Sequence, residues 1–377
     1  MKYFIIAGEQ SGDLHGSNLI RELVRQDAGA EIRCWGGDMM ESAGALLLMH
    51  YRKLAFMGFV EVVRNLRSIT RNLSLCRSHI KEFDPDVVIL IDYPGFNFRI
   101  AEFAHNSRYK VFYYISPKIW AWNEGRVKLV KRYVDRMYII FPFEVEFYKK
   151  HGIEVKYRGN PLLDETEKKI RALPGKTELR RSLELNDKPV VALLAGSRRS
   201  EVGQVLPEMI SIIDNFPDYQ FVLAGVNNLH DDLYLNIIGQ APVKLIKGRT
   251  YDILAVSEAA LVTSGTATLE TALLGIPQVV CFKGDFISML IAWIVIKVKY
   301  ISLVNLIAGY EAVTELVQYS LNSRNLTREL TSVLQGGAKR EKILNEYRNI
   351  RDILGPEGAS ERVAGDIVRE CRRFKNT

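Results

Sequence analysis

The sequence has few cysteines, and their positions argue against the usual roles of clustered thiols. Four are scattered along 377 residues, with no C-x-x-C pair and no histidine at ligand spacing from them. This spacing disfavours both a zinc site and a disulfide framework. We expect reduced thiols in a cytoplasmic protein, at Cys34, Cys76, Cys281 and Cys371.

Long hydrophobic runs are also lacking. The first residues, Met1–Ala7, lead directly into a strand-like segment without the apolar stretch of a secretory signal, so we expect no export by that route. One apolar run, Phe286–Ile296, has about half of the roughly 20 residues that a membrane-spanning helix needs. It can form an interfacial segment or a buried core helix, and both interpretations stay open.

Common phosphate-binding and nucleic-acid-binding patterns are absent as well. The glycines of the segment Gly8–Gly16 are spaced by four, which does not match G-x-G-x-x-G, and no Walker lysine follows. A dehydrogenase or a P-loop enzyme is therefore not favoured. No recognised nucleic-acid module and no alternation of aromatic and basic residues occurs, so we expect no nucleic-acid partner.

The overall composition is that of a soluble globular protein with a basic bias. Hydrophobic residues make up 47% of the chain and charged residues 25%. A length of 377 residues exceeds one ordinary core and suits two domains. The net charge of +7, with a pI near 9.0, favours an anionic partner such as a phosphorylated substrate or an acidic membrane surface.

Short apolar runs alternate with longer amphipathic segments, which is typical of parallel α/β layers. The pattern breaks at Arg158–Pro161, and this interruption predicts a domain boundary. We predict two Rossmann-like, doubly wound domains, at 1–160 and 176–350, that face a cleft, and a helix within 351–377 that packs back on the first domain. The predicted strands are Tyr3–Ala7, Ile32–Trp35, Val87–Asp92, Val111–Ile115, Met137–Phe141, Val190–Ala195, Phe221–Ala224, Val243–Ile246, Ala259–Thr263 and Gln278–Phe282.

Chemically useful side chains recur where the predicted strands end. In a doubly wound sheet, ligands bind beyond the carboxyl ends of the strands. Five such ends carry polar or charged candidates, which are Glu9, Asp92, Ser116, Arg198 and Ser264. By contrast, the D-x-D sequence Asp84–Asp86 precedes its strand and lies at the amino end. We therefore discount it as a metal site and expect no essential metal and no cofactor.

The sequence Ser264–Glu270 combines the end of an apolar strand, a hydroxyl-rich turn and the start of a helix. A helix start presents backbone N–H groups and partial positive charge, which suit a phosphate. Gly265 would let a ligand approach the backbone, and Ser264 and Thr266 could donate hydroxyl groups. Glu270 could accept hydrogen bonds from a sugar. Serine and threonine also cap ordinary helices, so a simple cap is the alternative.

Five segments together resemble the lipid-A-disaccharide synthase family, in that family's order and over nearly the whole chain. They are Gly8-Glu9-x-Ser11-Gly12-Asp13, Ser116-Pro117-x-x-Trp120-Ala121-Trp122, Gly196-Ser197-Arg198, Ser264–Glu270 and Asn305–Gly309. The resemblance implies a GT-B glycosyltransferase with the acceptor on the first domain and a UDP-sugar donor on the second. The implied reaction joins UDP-2,3-diacylglucosamine to 2,3-diacylglucosamine 1-phosphate with inversion, releasing UDP and forming a β(1→6)-linked disaccharide.

Such a reaction needs a base for the acceptor hydroxyl and positive charge at the departing diphosphate. Asp92 is the first choice as base or acceptor-orienting carboxylate and Glu9 the second, with a loop cap and a buried hydrogen-bonding partner as the respective alternatives. Acceptor contacts are predicted at Ser11, Asp13, His15 and Ser116, where Asp13 could instead cap the following helix. The predicted donor contacts are Ser197, Arg198, Ser264, Gly265, Thr266, Glu270, Asn305 and Glu311, whereas Glu315 could equally be a solvent-facing helix charge.

A lipid substrate implies contact with a membrane surface. The segment Leu54–Val60 places large apolar groups before a helix on which arginines repeat at helical spacing. An apolar tip beside a basic stripe suits anionic lipid, although a solvated helix face also explains arginines. The predicted contacts are Phe56, Met57, Phe59, Arg64, Arg67 and Arg71. We expect a peripheral protein on the cytoplasmic face of the inner membrane, with a homo-oligomer left open.

Two other functions stay open on the sequence alone. A UDP-N-acetylglucosamine 2-epimerase shares the two-domain plan but does not need the apolar loop. A non-catalytic, membrane-associated protein would bind sugar nucleotides without turnover. The dependence of UDP release on an acylated acceptor distinguishes the three functions.

Overall fold

The computed structural model describes residues 1–54, 66–122, 124–284 and 299–375. The chain forms two compact units, of which the first comprises Met1–Pro161 with Pro356–Thr377 and the second Leu162–Gly355. Each unit is built around one parallel sheet with helical connections between its strands. The predicted α/β class with two parallel-sheet domains is confirmed.

The first unit contains a seven-stranded sheet. Its strands are β1 Lys2–Ala7, β2 Glu31–Gly36, β3 Leu46–His50, β4 Val87–Ile91, β5 Lys110–Tyr114, β6 Arg136–Ile139 and β7 Lys156–Tyr157. Its helices are α1 Gln10–Gln26, α2 Asp38–Ser42, α3 Leu66–Phe83, α4 Pro94–Asn106, α5 Ile119–Trp122, α6 Val127–Tyr133, α7 Phe143–Lys150 and the last helix of the chain, α17 Ala359–Lys375. The strand order is β3-β2-β1-β4-β5-β6-β7.

The second unit contains a six-stranded sheet. Its strands are β8 Val190–Leu194, β9 Gln220–Gly225, β10 Val243–Lys247, β11 Ser257–Thr263, β12 Gln278–Phe282 and β13 Glu315–Val317. Its helices are α8 Pro161–Ala172, α9 Lys176–Ser182, α10 Arg199–Ile210, α11 Asp231–Ile238, α12 Thr250–Ala255, α13 Thr266–Leu273, α14 Leu303–Ala308, α15 Ser323–Val333 and α16 Arg340–Leu354. The strand order is β10-β9-β8-β11-β12-β13.

In each sheet, the chain first adds strands on one side of its starting strand and then adds the remaining strands on the other side. In the first unit the chain adds β2 and β3 on one side of β1 and then continues with β4 on the other side. In the second unit the chain adds β9 and β10 on one side of β8 and then continues with β11 on the other side. Connections leave such a pair of strands in opposite directions, which opens a crevice for ligands at their carboxyl ends. The two switch points therefore lie between β1 and β4 and between β8 and β11.

The central strands bury both of their faces. In β1, Phe4 and Ile6 pack into one core cluster and Tyr3 and Ile5 into another, all fully buried. Because successive side chains point to opposite sides of a sheet, these clusters lie on its two faces. This double burial is why uninterrupted apolar runs predict the strands.

The last helix of the chain packs within the first unit. Val363 and Ile367 of α17 belong to the same core cluster as Leu19 of α1. The nearly buried Asp366 accepts a hydrogen bond from Arg158 Nε at 2.5 Å. The second unit is thus inserted, along the chain, between the sheet of the first unit and its final helix.

The ten predicted strands are confirmed at close to their predicted bounds. The structure adds three strands that the sequence did not reveal, namely β3, β7 and β13, and all three lie at sheet edges. Strands β7 and β13 have only two and three residues, and β3 is only partly buried, so neither length nor apolarity marks them. Asp84–Asp86 lies at the amino end of β4, as predicted, where Asp86 Oδ2 accepts from the Lys2 N–H at 2.8 Å.

Candidate active site

The loop that follows β4 has a strained backbone held in place by two side chains. Asp92 and Tyr93 have φ angles of 42° and 47°, which few non-glycine residues adopt. Asn97 Nδ2 donates to the Asp92 carbonyl at 2.8 Å, and the Tyr113 hydroxyl donates to the same oxygen at 2.5 Å. These bonds fix the backbone from which the Asp92 carboxylate projects at the switch point.

The Asp92 carboxyl group has a raised pKa. Partial burial, and then the negative charge of Glu9, raise this pKa to about 6, while the positive charge of Lys118 acts in the opposite direction. A carboxyl group with such a pKa is mainly ionised at pH 7 and can still take up a proton during a reaction. Asp92 therefore has the protonation behaviour of a general base.

Glu9 lies on the other side of the first switch point, between the end of β1 and the start of α1. The Ser11 hydroxyl donates to Glu9 Oε1 at 2.7 Å and so orients the carboxylate. Gly8 packs so closely on Tyr93 that a Cβ at this position would lie 2.2 Å from the ring. The loops after β1 and β4 thus meet, and the structure brings Glu9, Ser11 and Asp92 together.

The Asp13 carboxylate is buried and binds the start of a neighbouring helix. Its side chain is only 2% exposed, and Oδ1 accepts from the backbone N–H groups of Gly37 and Met40 while Oδ2 accepts from that of Met39. Asp13 therefore caps α2 and not its own helix, and its predicted contact with the acceptor stays a prediction. The carboxylate is buried because these N–H groups need a partner. His15, two residues later in the same helix, is half-buried.

Ser116 is buried, and its predicted contact with the acceptor stays a prediction. Its Oγ lies 2.6 Å from the Tyr148 hydroxyl, and it also bonds to the Glu144 carboxyl group. Burial raises the pKa of Glu144 to about 7, although hydrogen bonds, including one from the Phe141 N–H, act to lower it. The serine hydroxyl thus satisfies polar groups inside the first unit, beneath the end of β5.

In the second unit, the loop after β8 is closed by a carboxylate from its own helix. Gly196 has a φ of 111°, and a Cβ there would lie 2.6 Å from Glu201 Oε2. This oxygen accepts from the backbone N–H groups of Ser197 at 3.0 Å and Arg198 at 3.2 Å. Glu201 therefore occupies the anion-binding groups of the helix start. The Arg198 side chain is 73% exposed and can turn toward a ligand.

The turn after β11 has the predicted form, with α13 beginning at Thr266. Gly265 has a φ of 150°, and no described atom lies within 4 Å of the Cβ that a side chain would add. Thr266 is exposed beside this open space. The Ser264 Oγ donates to the Ile301 carbonyl at 2.7 Å, and the predicted contact of Ser264 with the donor stays a prediction. The Ser264 hydroxyl therefore holds a neighbouring segment in place.

Glu270 is oriented by a tyrosine. The Tyr251 hydroxyl donates to Glu270 Oε1 at 2.6 Å and lies 3.2 Å from Thr166 Oγ1. Burial, and then the charge of Glu270, raise the pKa of Tyr251, so the phenol stays protonated and keeps donating. One carboxylate oxygen of Glu270 is thereby held in place, and Oε2 is the oxygen that could accept from a sugar.

Asn305 stabilises the interior of the second unit. It is fully buried, and its Nδ2 donates to the Val313 carbonyl and to Glu315 Oε1. Its Oδ1 accepts from the N–H groups of Ala312 and Val313. Both donors and both lone pairs of the amide are used. The amide is thus occupied within the second unit, and the predicted contact of Asn305 with the nucleotide stays a prediction.

Glu315 is the centre of the same network and lies on β13, not on a helix. Its two oxygens accept from the backbone N–H groups of Ile301 at 3.0 Å and Ser302 at 2.9 Å. Because Ser264 binds the Ile301 carbonyl, this network connects to the turn after β11. Glu311, by contrast, is exposed and remains a candidate for contact with a ligand.

The predicted membrane contacts fall mostly outside the described residues. The segment 55–65, which includes Phe56, Met57, Phe59 and Arg64, is outside the described residues. The Arg67 side chain and the run 286–296 are outside them as well. Arg71 is exposed on α3. None of the helices within the described ranges combines the length and hydropathy that a membrane crossing requires.

Several residues that shape these loops were missed by sequence reasoning. Asn97 and Lys118 stand shortly after predicted strand ends, so a wider search around each strand end would have found them. Tyr251 and Glu144 belong to other segments, and no local pattern marks them. Only the fold shows that they contact Glu270 and Ser116.

The sequence matches one protein family over nearly its whole length. The family is described as lipid-A-disaccharide synthetase, and its model matches residues 3–363. A lipid-A-disaccharide synthase from Syntrophus aciditrophicus is 40% identical over 368 residues, which cover 96% of this chain and 95% of that protein. Identity and coverage of this size are those of two proteins from one family.

Solved structures of similar shape share the fold. A putative UDP-N-acetylglucosamine 2-epimerase from Listeria monocytogenes superposes with a TM-score of 0.69 at 14% identity, covering 100% of this chain and 97% of its own. The UDP-GlcNAc 2-epimerase from Neisseria meningitidis bound to UDP-GlcNAc gives 0.65 at 14% identity, covering 98% of this chain and 100% of its own. This likeness concerns the fold alone, and with the two parallel sheets it confirms the predicted GT-B fold.

Proposed function

The chain belongs to the lipid-A-disaccharide synthase family, and on this premise we propose that it joins UDP-2,3-diacylglucosamine to 2,3-diacylglucosamine 1-phosphate. As a member of that family it is a glycosyltransferase of lipid A biosynthesis. The proposed products are UDP and the β(1→6)-linked disaccharide 1-phosphate, formed with inversion at the transferred sugar. The family match over residues 3–363 is the observation that carries this proposal.

We propose that Asp92 is the general base of this reaction. It would accept the proton of the attacking acceptor hydroxyl while the new bond to the sugar carbon forms and the bond to UDP breaks. The raised pKa of Asp92 and the fixed backbone of its loop support this role. Glu9 is the second candidate, and its charge also helps to keep the pKa of Asp92 close to neutral.

We propose that the UDP group is bound at the switch point of the second unit. Arg198 would stabilise the negative charge that develops on the departing diphosphate, because a guanidinium group binds phosphate oxygens in a fixed fork. Thr266 and the start of α13 would bind the same group. Glu270 would accept hydrogen bonds from the ribose. The exposure of Arg198 and the open space beside Gly265 support this arrangement.

Replacing Tyr251 with phenylalanine should weaken UDP binding about three- to tenfold, because Glu270 loses one orienting hydrogen bond. Titration calorimetry with UDP measures this loss. The same titration with 2′,3′-dideoxy-UDP should show little difference between the two proteins, since this ligand offers no ribose hydroxyls to Glu270. Tyr319→Phe is the matched control, because Tyr319 is 85% exposed. An equal loss for both ligands would contradict the ribose assignment.

The pH dependence of kcat/KM should follow the ionisation of Asp92. Its pKa is raised to about 6, and only the ionised form accepts a proton, so the rate should fall about tenfold per pH unit below this value and level off above pH 7. Glu144 also has a raised pKa, of about 7, and is the competing explanation. The variant Glu144→Gln should show the same fall of kcat/KM below about pH 6, which is the acidic limb of the profile. Loss of that limb in this variant would show that Glu144 controls it.

We propose that the protein binds peripherally to anionic lipid on the cytoplasmic face of the inner membrane. The acylated substrates, the net charge of +7 and the exposed Arg71 support this proposal. Sedimentation with vesicles should show binding that increases with anionic lipid and decreases when Phe56, Met57 and Phe59 are replaced by serine. Binding that is independent of both changes would exclude this mode of attachment.

The reaction itself is tested by following UDP release with and without the acylated acceptor. We expect release only when 2,3-diacylglucosamine 1-phosphate is present, together with the disaccharide product. Release without an acceptor would instead indicate hydrolysis of the kind that an epimerase can perform. No release under either condition would favour a binding protein without catalytic activity.

A further inference from the structure

A cavity of about 380 Å³ lies in the first unit next to the Asp92 loop. Tyr93 and Pro94, which directly follow Asp92, form part of its wall. Leu54, Ile69 and Leu129 contribute from three other segments. Its volume is within the range of small-molecule sites, which are mostly apolar with a few polar groups. A ligand in this cavity would therefore lie beside the candidate base.

The aromatic wall of the cavity is rigid. The Tyr93 ring stacks on Phe96 with centroids 5.8 Å apart, and Phe96 stacks on the fully buried Trp35 at the same distance. The Tyr93 hydroxyl donates to the Leu54 carbonyl at 3.0 Å, which fixes the ring from its other end. A wall held in this way is preformed, so little ordering is needed when a ligand enters.

Two guanidinium groups adjoin this apolar space. Arg99 is exposed on α4, and the half-buried Arg126 directly precedes α6. Among the described residues that line the cavity, none is acidic. The cavity therefore combines an apolar interior with net positive charge, which complements a molecule that carries both hydrocarbon and an anion.

We propose that this cavity binds the acceptor, with an acyl chain in the apolar space and the phosphate at Arg99 and Arg126. The inference rests on the proposed function, which requires an acylated sugar phosphate as acceptor. Arginine pairs suit phosphate oxygens, and the aromatic and aliphatic wall suits hydrocarbon. This placement also brings the acceptor to the loop that carries Asp92, so binding and proton removal take place on neighbouring residues.

Filling the cavity tests the acyl part of the proposal. Leu129→Trp should raise KM about tenfold or more for an acceptor with long acyl chains and progressively less for shorter ones, because fewer methylene groups are displaced. KM for the UDP-sugar should not change. Lys128→Trp is the matched control, since Lys128 is exposed on the same helix outside the cavity wall. An increase in KM that is independent of chain length would contradict the proposal.

Removing one charge tests the phosphate part. Arg99→Gln should raise KM about tenfold for the phosphorylated acceptor and leave KM unchanged for the same diacylglucosamine without phosphate, if that compound is used as a slow substrate. Arg99 is exposed, so this variant should keep the unfolding midpoint of the parent protein and remains informative if Leu129→Trp misfolds. An equal effect on both acceptors would overturn the assignment.

If the unmodified protein forms no disaccharide, the proposed function itself fails. If it does and the variants behave like it, only this cavity assignment fails.

Discussion

Replacing Asp92 with asparagine should lower kcat by about 10²- to 10⁴-fold without weakening UDP binding. Asparagine keeps the size of the side chain and tolerates the left-handed backbone at φ 42°, but it cannot take a proton. The loss should therefore appear in the chemical step. Disaccharide formation under saturating substrates measures kcat, and calorimetry with UDP measures donor binding.

Asp84 provides a matched control for this substitution. It is also an aspartate with a left-handed backbone, at φ 49°, but it lies at the amino end of β4. Asp84→Asn should therefore leave kcat within about twofold of the parent value, since surface substitutions away from a site have small effects. If Asp92→Asn retains most of the activity, the base assignment is wrong, and Glu9→Gln then shows whether Glu9 takes the proton.

The second large effect concerns stability. Asp13→Ala should lower the free energy of unfolding by about 2–4 kcal/mol, because three backbone N–H groups lose their acceptor in a buried environment. Asp13→Asn should cost less, since its remaining carbonyl oxygen can still accept from Gly37 and Met40. Denaturant unfolding followed by circular dichroism measures the difference.

The control for Asp13 is an acidic residue at the same helix. Asp38 begins α2, but its side chain is 72% exposed and forms long ion pairs with His50 at 3.4 Å and Arg52 at 3.9 Å. Asp38→Ala should change the free energy of unfolding by about 0.5 kcal/mol or less. If Asp13→Ala is as mild as this control, the cap contributes little and α2 is stabilised by packing instead.

The sequence predicts the central strands well because they are buried on both faces. Val87–Ile91 is a continuous apolar run, and such a run has few other stable placements in an α/β protein. The edge strands β3, β7 and β13 lack this property. Their formation depends on pairing with a neighbour that is distant in the chain, and a local pattern does not report that pairing.

In the candidate site, too, the sequence predicts what depends on local pattern and misses what depends on distant partners. The positions of Asp92 and Glu9 follow from strand ends, which the sequence reveals. The hydrogen bonds of Asp13, Ser116 and Asn305 depend on partners from other segments, which the sequence does not reveal. A polar residue near a strand end can contact a ligand or stabilise the loop by hydrogen bonds, and its neighbours in the fold determine which role is possible.

The strained loop at Asp92 and Tyr93 has a consequence for efforts to stabilise the protein. Two adjacent left-handed residues each raise the energy of the folded state by about 1–3 kcal/mol. Glycine at position 93 would lose the stacking of Tyr93 on Phe96, whereas glycine at position 92 would relieve the cost and remove the carboxylate. A selection for thermal tolerance alone would therefore enrich inactive variants at this loop, so a screen for robust variants needs to score turnover at the same time.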